Sequence, residues 1–426
     1  MAIQALYLHL PFCRSRCAYC DFDTRAYAPD ALDTAAATYT AQLLARLDAF
    51  AERGALDHVR TVYLGGGTPS TLGARLPALV RAVRKVCEPV ELTCEANPES
   101  FTEELACELE DAGVTRISLG AQSFDDGELA AVGRIHTADQ ALATIERSRR
   151  HGFSTSCDLI CGLPGQTDAS WELSVRAAID AGVDHISVYP LTVEEGTPLA
   201  RAIEAGELEA PDEDFEASCM ERARDLLEAA GLAPYEVASY ARPGAACMHN
   251  IAYWTGTSYL GLGRSAAGML TAGGYAKLSD LFGDPSHEAG CADSDPALPA
   301  ARVRIVQRND AGTRFELERL SAREAAAEDL MLACRMTRGI PVAQLDRAQT
   351  VIPAGELRAT CVRAVELGLA RWTDGTGAPL AGDKAGDVAP PCATAPWIPS
   401  QAAFLAPTRT GWLLGNELFG LFWDLA

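Results

Sequence analysis

The sequence predicts an α/β protein: a partial (β/α)6, TIM-like barrel followed by a C-terminal, mainly helical, winged-helix-like domain. Three observations predict this fold. Six short apolar segments alternate with helical patterns between residues 5 and 190, which is typical of parallel strands joined by right-handed crossovers. Polar and glycine-rich motifs follow directly after the strands, where barrels of this kind place their sites. Beyond residue 210, longer helical patterns replace the alternation.

The six strands are short apolar runs, each followed by a turn signal. They are predicted over residues 5–10, 59–64, 90–95, 115–120, 153–160 and 184–189. Between the strands, apolar residues recur at helical spacing, as Leu32, Tyr39, Leu43 and Phe50 do after the first strand. The helix after the third strand is expected to begin at Thr102, because a threonine hydroxyl can cap a helix.

The chain is expected to divide into three regions. They are the barrel (residues 1–210), an extension of it (211–300) and the C-terminal domain (301–426). Two stretches rich in Asp, Pro, Ala and Gly are predicted to be irregular, a loop over 283–300 and an insert over roughly 373–400. The remaining C-terminal elements are a long helix over 215–230, a mainly helical stretch over 322–372 and a closing segment over 408–425.

Charge and composition exclude several classes of function. The 426 residues carry a net charge of −22, from 36 basic and 58 acidic residues, which argues against non-specific nucleic-acid binding. The sequence contains no apolar run of about 18 residues and no signal-peptide pattern. We therefore expect no nucleic-acid partner, no membrane span and a cytoplasmic location, where the 14 cysteines would be reduced.

The loop after the first strand carries Cys13, Cys17 and Cys20 in the spacing C-x3-C-x2-C. Three thiolates can hold three irons of a [4Fe–4S] cluster and leave the fourth iron open to a small molecule. The alternatives are a zinc site completed by His9 or a chance grouping of buried thiols. Zinc prefers paired C-x2-C units and a closed set of four ligands, so the spacing favours the open cluster.

Further polar motifs follow the later strands. The glycine run Gly66-Gly67-Thr68 lacks the lysine of a P-loop, and it would let a charged group of a ligand approach the backbone. Each of the strand-end side chains is, singly, an ordinary polar surface residue, but together they form a ring of donors and acceptors typical of a nucleoside pocket. They are Glu95, Gln122, Arg134 and Asp158. Arg14 and Arg16, beside the cysteines, are expected to favour the thiolate forms.

His249 is the second residue of interest. A lone histidine is usually structural, and residue types alone favour that interpretation here. Tyr253, Trp254 and Cys247 lie close in sequence, however, so His249 could also be an axial haem ligand between flat aromatic walls.

Eight segments match the pattern of a known family in order and spacing. They are YLHLPFC at 7–13, CAYCDF at 17–22, GGGTPS at 65–70, EANP at 95–98, SLGAQSF at 118–124, GRIH at 133–136, DLICGLPGQT at 158–167 and HNIAYW at 249–254. With these segments the chain resembles the radical S-adenosylmethionine (SAM) proteins. Within that group it is similar to the haem chaperones often labelled oxygen-independent coproporphyrinogen III oxidase-like. The resemblance covers most of residues 5–270.

The resemblance implies the cofactors and their residues. Cys13, Cys17 and Cys20 would bind the [4Fe–4S] cluster, SAM would complete its open iron, and His249 would be associated with haem. The implied SAM contacts are Tyr7, Tyr19, Gly66, Gly67, Thr68, Glu95, Gln122, Arg134, Asp158 and Thr192. In such proteins the reduced cluster transfers one electron to SAM and cleaves it, which requires an electron donor as a partner.

Two functions follow from the resemblance, and a third, non-catalytic one is an alternative to both. The first is a haem chaperone that hands haem to acceptor proteins, which in this family could be respiratory and membrane-associated. The second is a radical enzyme acting on a tetrapyrrole, such as coproporphyrinogen III oxidase or a haem-modifying enzyme. The third is a plain cluster- or zinc-stabilised binding protein.

Two features favour the chaperone. The oxidase carries a further cysteine two positions after its third cluster ligand, where this chain has Phe22, and a longer segment before the cluster loop. One feature departs from the chaperone pattern. Gly263 is usually followed by Pro and then a His-Ser pair, whereas Arg264 and Ser265 follow it here. The role of the missing histidine stays open.

Overall fold

The computed structural model describes residues 2–283, 285–289, 300–380 and 397–426. Six parallel strands lie side by side in the order of the sequence, so the predicted partial barrel is confirmed. The six barrel strands, first to sixth, are Ala5–Leu10, Thr61–Gly66, Glu91–Ala96, Arg116–Gln122, Ser154–Cys161 and His185–Pro190. Their buried apolar side chains pack against the crossover helices in one continuous core.

The helices follow the predicted pattern, with short additions. Those of the barrel and its extension are Pro29–Glu52, Arg75–Val86, Glu103–Ala112, Asp126–Ala131, Ala138–Arg150, Asp168–Asp180, Pro198–Glu204, Glu213–Ala229, Met248–Trp254 and Ala272–Leu278. Short 3-10 helices span Pro69–Leu72 and Ser279–Phe282. The hydroxyl of Thr102 accepts a hydrogen bond from the backbone N–H of Leu105 at 3.2 Å, which confirms the predicted cap.

The sheet extends beyond the six barrel strands at both edges. A seventh parallel strand, Tyr259–Leu262, pairs with the first strand. Beyond it lie, in spatial order, Ala267–Thr271, Arg302–Gln307, Phe315–Leu320 and Pro285–Ala289. Ser239–Ala241 and then Ala233–Pro234 complete the opposite edge, next to the sixth strand. The result is one 13-stranded sheet.

These edge strands change two expectations. The loop predicted over 283–300 is wrong for Pro285–Ala289, which pairs with Phe315–Leu320, while residues 290–299 lie outside the described residues. Two strands after residue 300 also hydrogen-bond to the main sheet, so the border expected at 300 divides a single sheet. The composition of these segments did not predict strands, because they become strands by pairing with segments that are distant in the sequence.

The C-terminal domain has the predicted winged-helix order and its own apolar core, which begins at Ala327. Its helices are Ala322–Cys334, Val342–Ala348, Ala354–Glu366, Arg409–Leu413 and Gly415–Trp423. A small sheet joins the strands Ile340–Pro341, Ala370–Thr373 and Phe404–Pro407. Residues 381–396 of the expected insert lie outside the described residues. In the parts of the chain that are described, no helix is long and apolar enough to cross a bilayer.

Candidate cofactor site

The carboxyl ends of the barrel strands surround an open cavity of about 710 Å³, a volume that includes its solvent-open mouth. Most of the predicted site residues, although far apart in sequence, line this cavity. They are Cys13, Cys17, Tyr19, Cys20, Gly66, Gly67, Thr68, Glu95, Gln122, Arg134 and Asp158. These residues come from several different strands and loops, so the parallel arrangement of the strands brings them to one site.

The cysteine loop is held against the glycine run by backbone hydrogen bonds. The N–H of Gly67 donates to the carbonyl of Leu10 at 3.0 Å, and the N–H of Thr68 donates to the carbonyl of Phe12 at 2.7 Å. A side chain on Gly67 would place its Cβ 2.8 Å from backbone atoms of Leu10 and Phe12, so only glycine allows this approach. The Thr68 hydroxyl also donates to the Cys13 sulfur at 3.7 Å.

The pKa values of Cys13 and Cys20 are determined mainly by burial and less by the neighbouring arginines. Burial raises the pKa of Cys13 and of Cys20, and at Cys20 the charge of Arg16 offsets only part of that effect. Arg14 points away and donates to the carbonyl of Glu99 at 2.9 Å. Arg16 therefore favours the Cys20 thiolate, as expected, but less strongly than burial opposes it, and Arg14 is engaged with Glu99. These cysteines would be deprotonated by a bound metal instead, since a coordinated thiol loses its proton.

The donor set fits an iron–sulfur cluster better than a zinc ion. His9, the proposed fourth zinc ligand, has both ring nitrogens engaged, Nδ1 with the Tyr7 hydroxyl at 3.0 Å and Nε2 with the carbonyl of Asp23 at 3.3 Å. Among the described residues, no three or more His, Cys, Asp or Glu side chains converge closely enough for a single ion. Three thiols nevertheless line one cavity, as a multi-iron cluster with spread-out ligands requires.

Glu95 is a half-buried carboxyl with a partner on each oxygen. The Tyr63 hydroxyl donates to Oε1 and the N–H of Gly66 donates to Oε2, both at 2.9 Å. Burial raises the pKa of Glu95 to about 7. Burial likewise raises the pKa of Asp158, to which Ser118 donates a hydrogen bond at 3.4 Å. Two acidic acceptors therefore face a cavity that also contains a cation.

That cation is Arg134, which links three parts of the site. One guanidinium nitrogen lies 3.4 Å from the Cys17 sulfur, and the other donates to Asn97 Oδ1 at 3.1 Å and to the carbonyl of Gly120. Asn97 in turn donates to the Thr68 hydroxyl at 3.0 Å. Residue types alone did not identify Asn97, although it lies inside the EANP segment that matches the family.

Gln122 has an unusual backbone conformation at a bulge at the end of the fourth strand. Its φ is +69°, a region that residues with side chains rarely adopt, and the register with the fifth strand shifts at this point. Such strain costs on the order of 1–3 kcal/mol and persists where the surroundings impose it, commonly at functional sites. Here the strained residue is Gln122 itself, whose side chain lines the cavity.

Three of the predicted site residues lie outside this cavity lining. Tyr7 bonds to His9 within the barrel, and Thr192 is exposed after the sixth strand. His249 is only 1% exposed, and both its ring nitrogens have partners: the hydroxyl of Thr61 at 3.0 Å and that of Tyr253 at 3.1 Å. In this conformation, therefore, His249 has no free nitrogen for a haem iron.

The departure after Gly263 is explained by a contact with the cluster loop. Arg264 Nε and the Ser265 hydroxyl both donate to the Asp23 carboxylate, at 2.6 and 2.5 Å, and Ser265 adopts a φ of +60° to do so. Burial alone would raise the pKa of Asp23, but these bonds hold it below its usual range. In this chain, Arg264 and Ser265 thus anchor the end of the cysteine loop.

Comparison with known proteins agrees with this geometry. Residues 7–178 match the sequence model of the radical SAM superfamily, so the barrel and its cysteine loop define a radical SAM protein. The chain is 38% identical over 363 residues to the haem chaperone HemW of Mycobacterium tuberculosis, covering 83% of this chain and 88% of that protein. It is 33% identical over 350 residues to HemW of Synechocystis, covering 80% of each. The chain belongs to the HemW family.

The comparison with solved structures covers nearly the whole chain. The structure superposes on Escherichia coli coproporphyrinogen III oxidase, described as a radical SAM enzyme, with a TM-score of 0.72. The match covers 99% of this chain and 90% of that one, at 18% identity. The two proteins therefore share the fold, including the part that follows the barrel. Membership of the family implies a [4Fe–4S] cluster and SAM as cofactors.

The first prediction concerns the cluster ligands. Cys17→Ala removes one of three thiols that line the cavity, so we expect anaerobic reconstitution to give no stable iron–sulfur absorbance. Cys87→Ala is the matched control, because Cys87 is buried at the end of the helix Arg75–Val86 and does not line the cavity. Visible absorbance and an iron assay measure the outcome. A Cys17→Ala protein that retains about four irons per chain would show that this residue is not a ligand.

The second prediction concerns pH. Because the folded-state pKa of Glu95 is raised to about 7, its contribution to stability is present below the unfolded-state pKa of about 4.3 and is lost as pH rises through about 7. Glu95→Gln cannot ionise, so its stability relative to the wild type should increase by up to about 3 kcal/mol between pH 5 and 8. Urea denaturation of the cofactor-free proteins tests this. If the wild type and Glu95→Gln differed in unfolding free energy by the same amount at pH 5 and at pH 8, the prediction would be contradicted.

Proposed function

We propose that this protein binds haem and transfers it to acceptor proteins, and that it holds a [4Fe–4S] cluster whose open iron is completed by SAM. The observation that carries the proposal is membership of the HemW family, with 38% identity over most of both chains to a relative named as a haem chaperone. We further propose a cytoplasmic location, an electron donor as partner, and haem acceptors that include respiratory, membrane-associated proteins.

The residues of the cavity support the cofactor part of this proposal. Cys13, Cys17 and Cys20 would hold the cluster, which when bound supplies an electron and an open iron for SAM. Arg134 is a half-buried cation suited to the carboxylate of SAM. Glu95 can accept hydrogen bonds from amino or hydroxyl groups. Asp158, Gln122, Tyr19 and the backbone of Gly66, Gly67 and Thr68 complete the proposed contacts, whereas Tyr7 and Thr192 lie outside the cavity lining.

Phe22 supports the chaperone over the oxidase. It lines the mouth of the cavity and is 58% exposed, at the position where the oxidase pattern has a further cysteine. An exposed phenylalanine provides neither a thiol for chemistry nor a ligand for a second metal. It leaves instead an apolar surface beside the cluster loop.

Haem titration and an oxidase assay on one reconstituted sample test the proposal. We expect a Soret band that saturates at about one haem per chain, and transfer of that haem to apomyoglobin used as a trap. Coproporphyrinogen III with SAM and a reductant should give no protoporphyrinogen. Decarboxylation with multiple turnovers, or absence of any saturable haem binding, would overturn the proposed chaperone function. The same haem titration of the protein without its cluster is the control, and it measures how much the cluster contributes to haem binding.

A further inference from the structure

The HNIAYW segment forms the helix Met248–Trp254, which lies at the amino ends of the barrel strands, opposite to the cofactor cavity. Glu91, the first residue of the third strand, accepts hydrogen bonds from the N–H groups of Met248 at 2.8 Å and His249 at 2.9 Å. Thr61, the first residue of the second strand, bonds to His249 Nδ1. Glu91 and Thr61, each the first residue of a barrel strand, therefore hold the segment against the barrel.

His249 behaves as part of this packing. Burial lowers its pKa to about 3, so the imidazole is neutral at physiological pH. Its ring lies between two tyrosine rings, with centroid separations of 5.2 Å to Tyr63 and 4.8 Å to Tyr253. Because both of its nitrogens are hydrogen-bonded and its ring also contacts Tyr253, His249 presents a fixed surface to the ring of Tyr63.

Tyr63 connects this end of the barrel to the cofactor cavity. It lies in the second strand, and its ring contacts His249 while its hydroxyl donates to Glu95 Oε1 at 2.9 Å. The other carboxylate oxygen is bound by the N–H of Gly66. Only these two donors hold the Glu95 carboxylate among the hydrogen bonds described, so Tyr63 sets the direction in which Glu95 meets the cavity.

We propose that Tyr63, supported by His249, is a positioning residue of the SAM site: it orients the Glu95 carboxylate for its contact with SAM. The HNIAYW segment would then act on the cofactor cavity through a line of contacts from His249 to Tyr63 to Glu95, and not by ligating haem iron. This inference rests on the proposed SAM site. It assigns a function to Tyr63, which the sequence motifs did not single out.

Tyr63→Phe is the principal test, because it keeps the ring against His249 and removes only the hydroxyl. In the cluster-loaded protein we expect the Kd for SAM to rise about tenfold, the effect of losing one hydrogen bond to a charged group. Iron content should not change. Tyr240→Phe is the matched control, since Tyr240 is fully buried and its hydroxyl has no partner among the described residues. It should bind SAM as the wild type does.

A double-mutant cycle separates positioning from general structural damage. If Tyr63 acts through Glu95, Tyr63→Phe should have no further effect on SAM binding in a Glu95→Ala background. An equal loss in both backgrounds would overturn the proposal, as would an unchanged Kd in Tyr63→Phe alone.

His249 variants distinguish this inference from haem ligation. His249→Ala should weaken SAM binding, and His249→Phe, which keeps an aromatic ring against Tyr63, should restore most of it. The haem titration should reach the same end point in both variants. Loss of haem binding in both variants with SAM affinity unchanged would assign His249 to haem and overturn the inference. Failure of the proposed function itself would already be evident in the wild type, as an absence of SAM or haem binding.

Discussion

The backbone contact between the cysteine loop and the glycine run is the constraint on which the site depends. Two N–H groups, of Gly67 and Thr68, bond to carbonyls at the end of the first strand and the start of the loop. The contact requires a glycine, because any Cβ at residue 67 would meet that backbone at 2.8 Å. Through it, the parallel pairing of the first two strands determines where the thiols stand relative to Glu95 on the third strand. Arg134 reaches the thiols from the segment between the helices Asp126–Ala131 and Ala138–Arg150.

The cavity brings ionisable groups close together, and each of these groups depends on fixed partners. Glu95 is held by one hydroxyl and one backbone N–H, and Arg134 by Asn97, the Gly120 carbonyl and a cysteine sulfur. Buried charges without such partners would be costly. A site preorganised in this way suits a ligand that carries both an amino and a carboxylate group, as SAM does.

A line of side-chain contacts joins the two ends of the barrel, and the HNIAYW segment forms the start of this line. His249 and Glu91 join the segment to the starts of the strands, and Tyr63 spans the interior to a carboxylate at their other ends. Changes at one end can therefore reach the other through packed, hydrogen-bonded side chains. The anchoring of Asp23 by Arg264 and Ser265 similarly couples the seventh strand to the cysteine loop.

The sequence by itself determined the features that arise from local spacing: the six alternating strands, the cap at Thr102 and the cysteine triplet. It also indicated most of the cavity, because the carboxyl ends of parallel strands must meet at one edge of the sheet. Only the tertiary structure revealed the seventh strand, the true partners of Arg14 and the burial of His249. These depend on contacts between distant residues, such as the bond between Thr61 and His249, 188 positions apart. No local pattern records such a contact, because its energy comes from packing and burial that exist only in the folded chain.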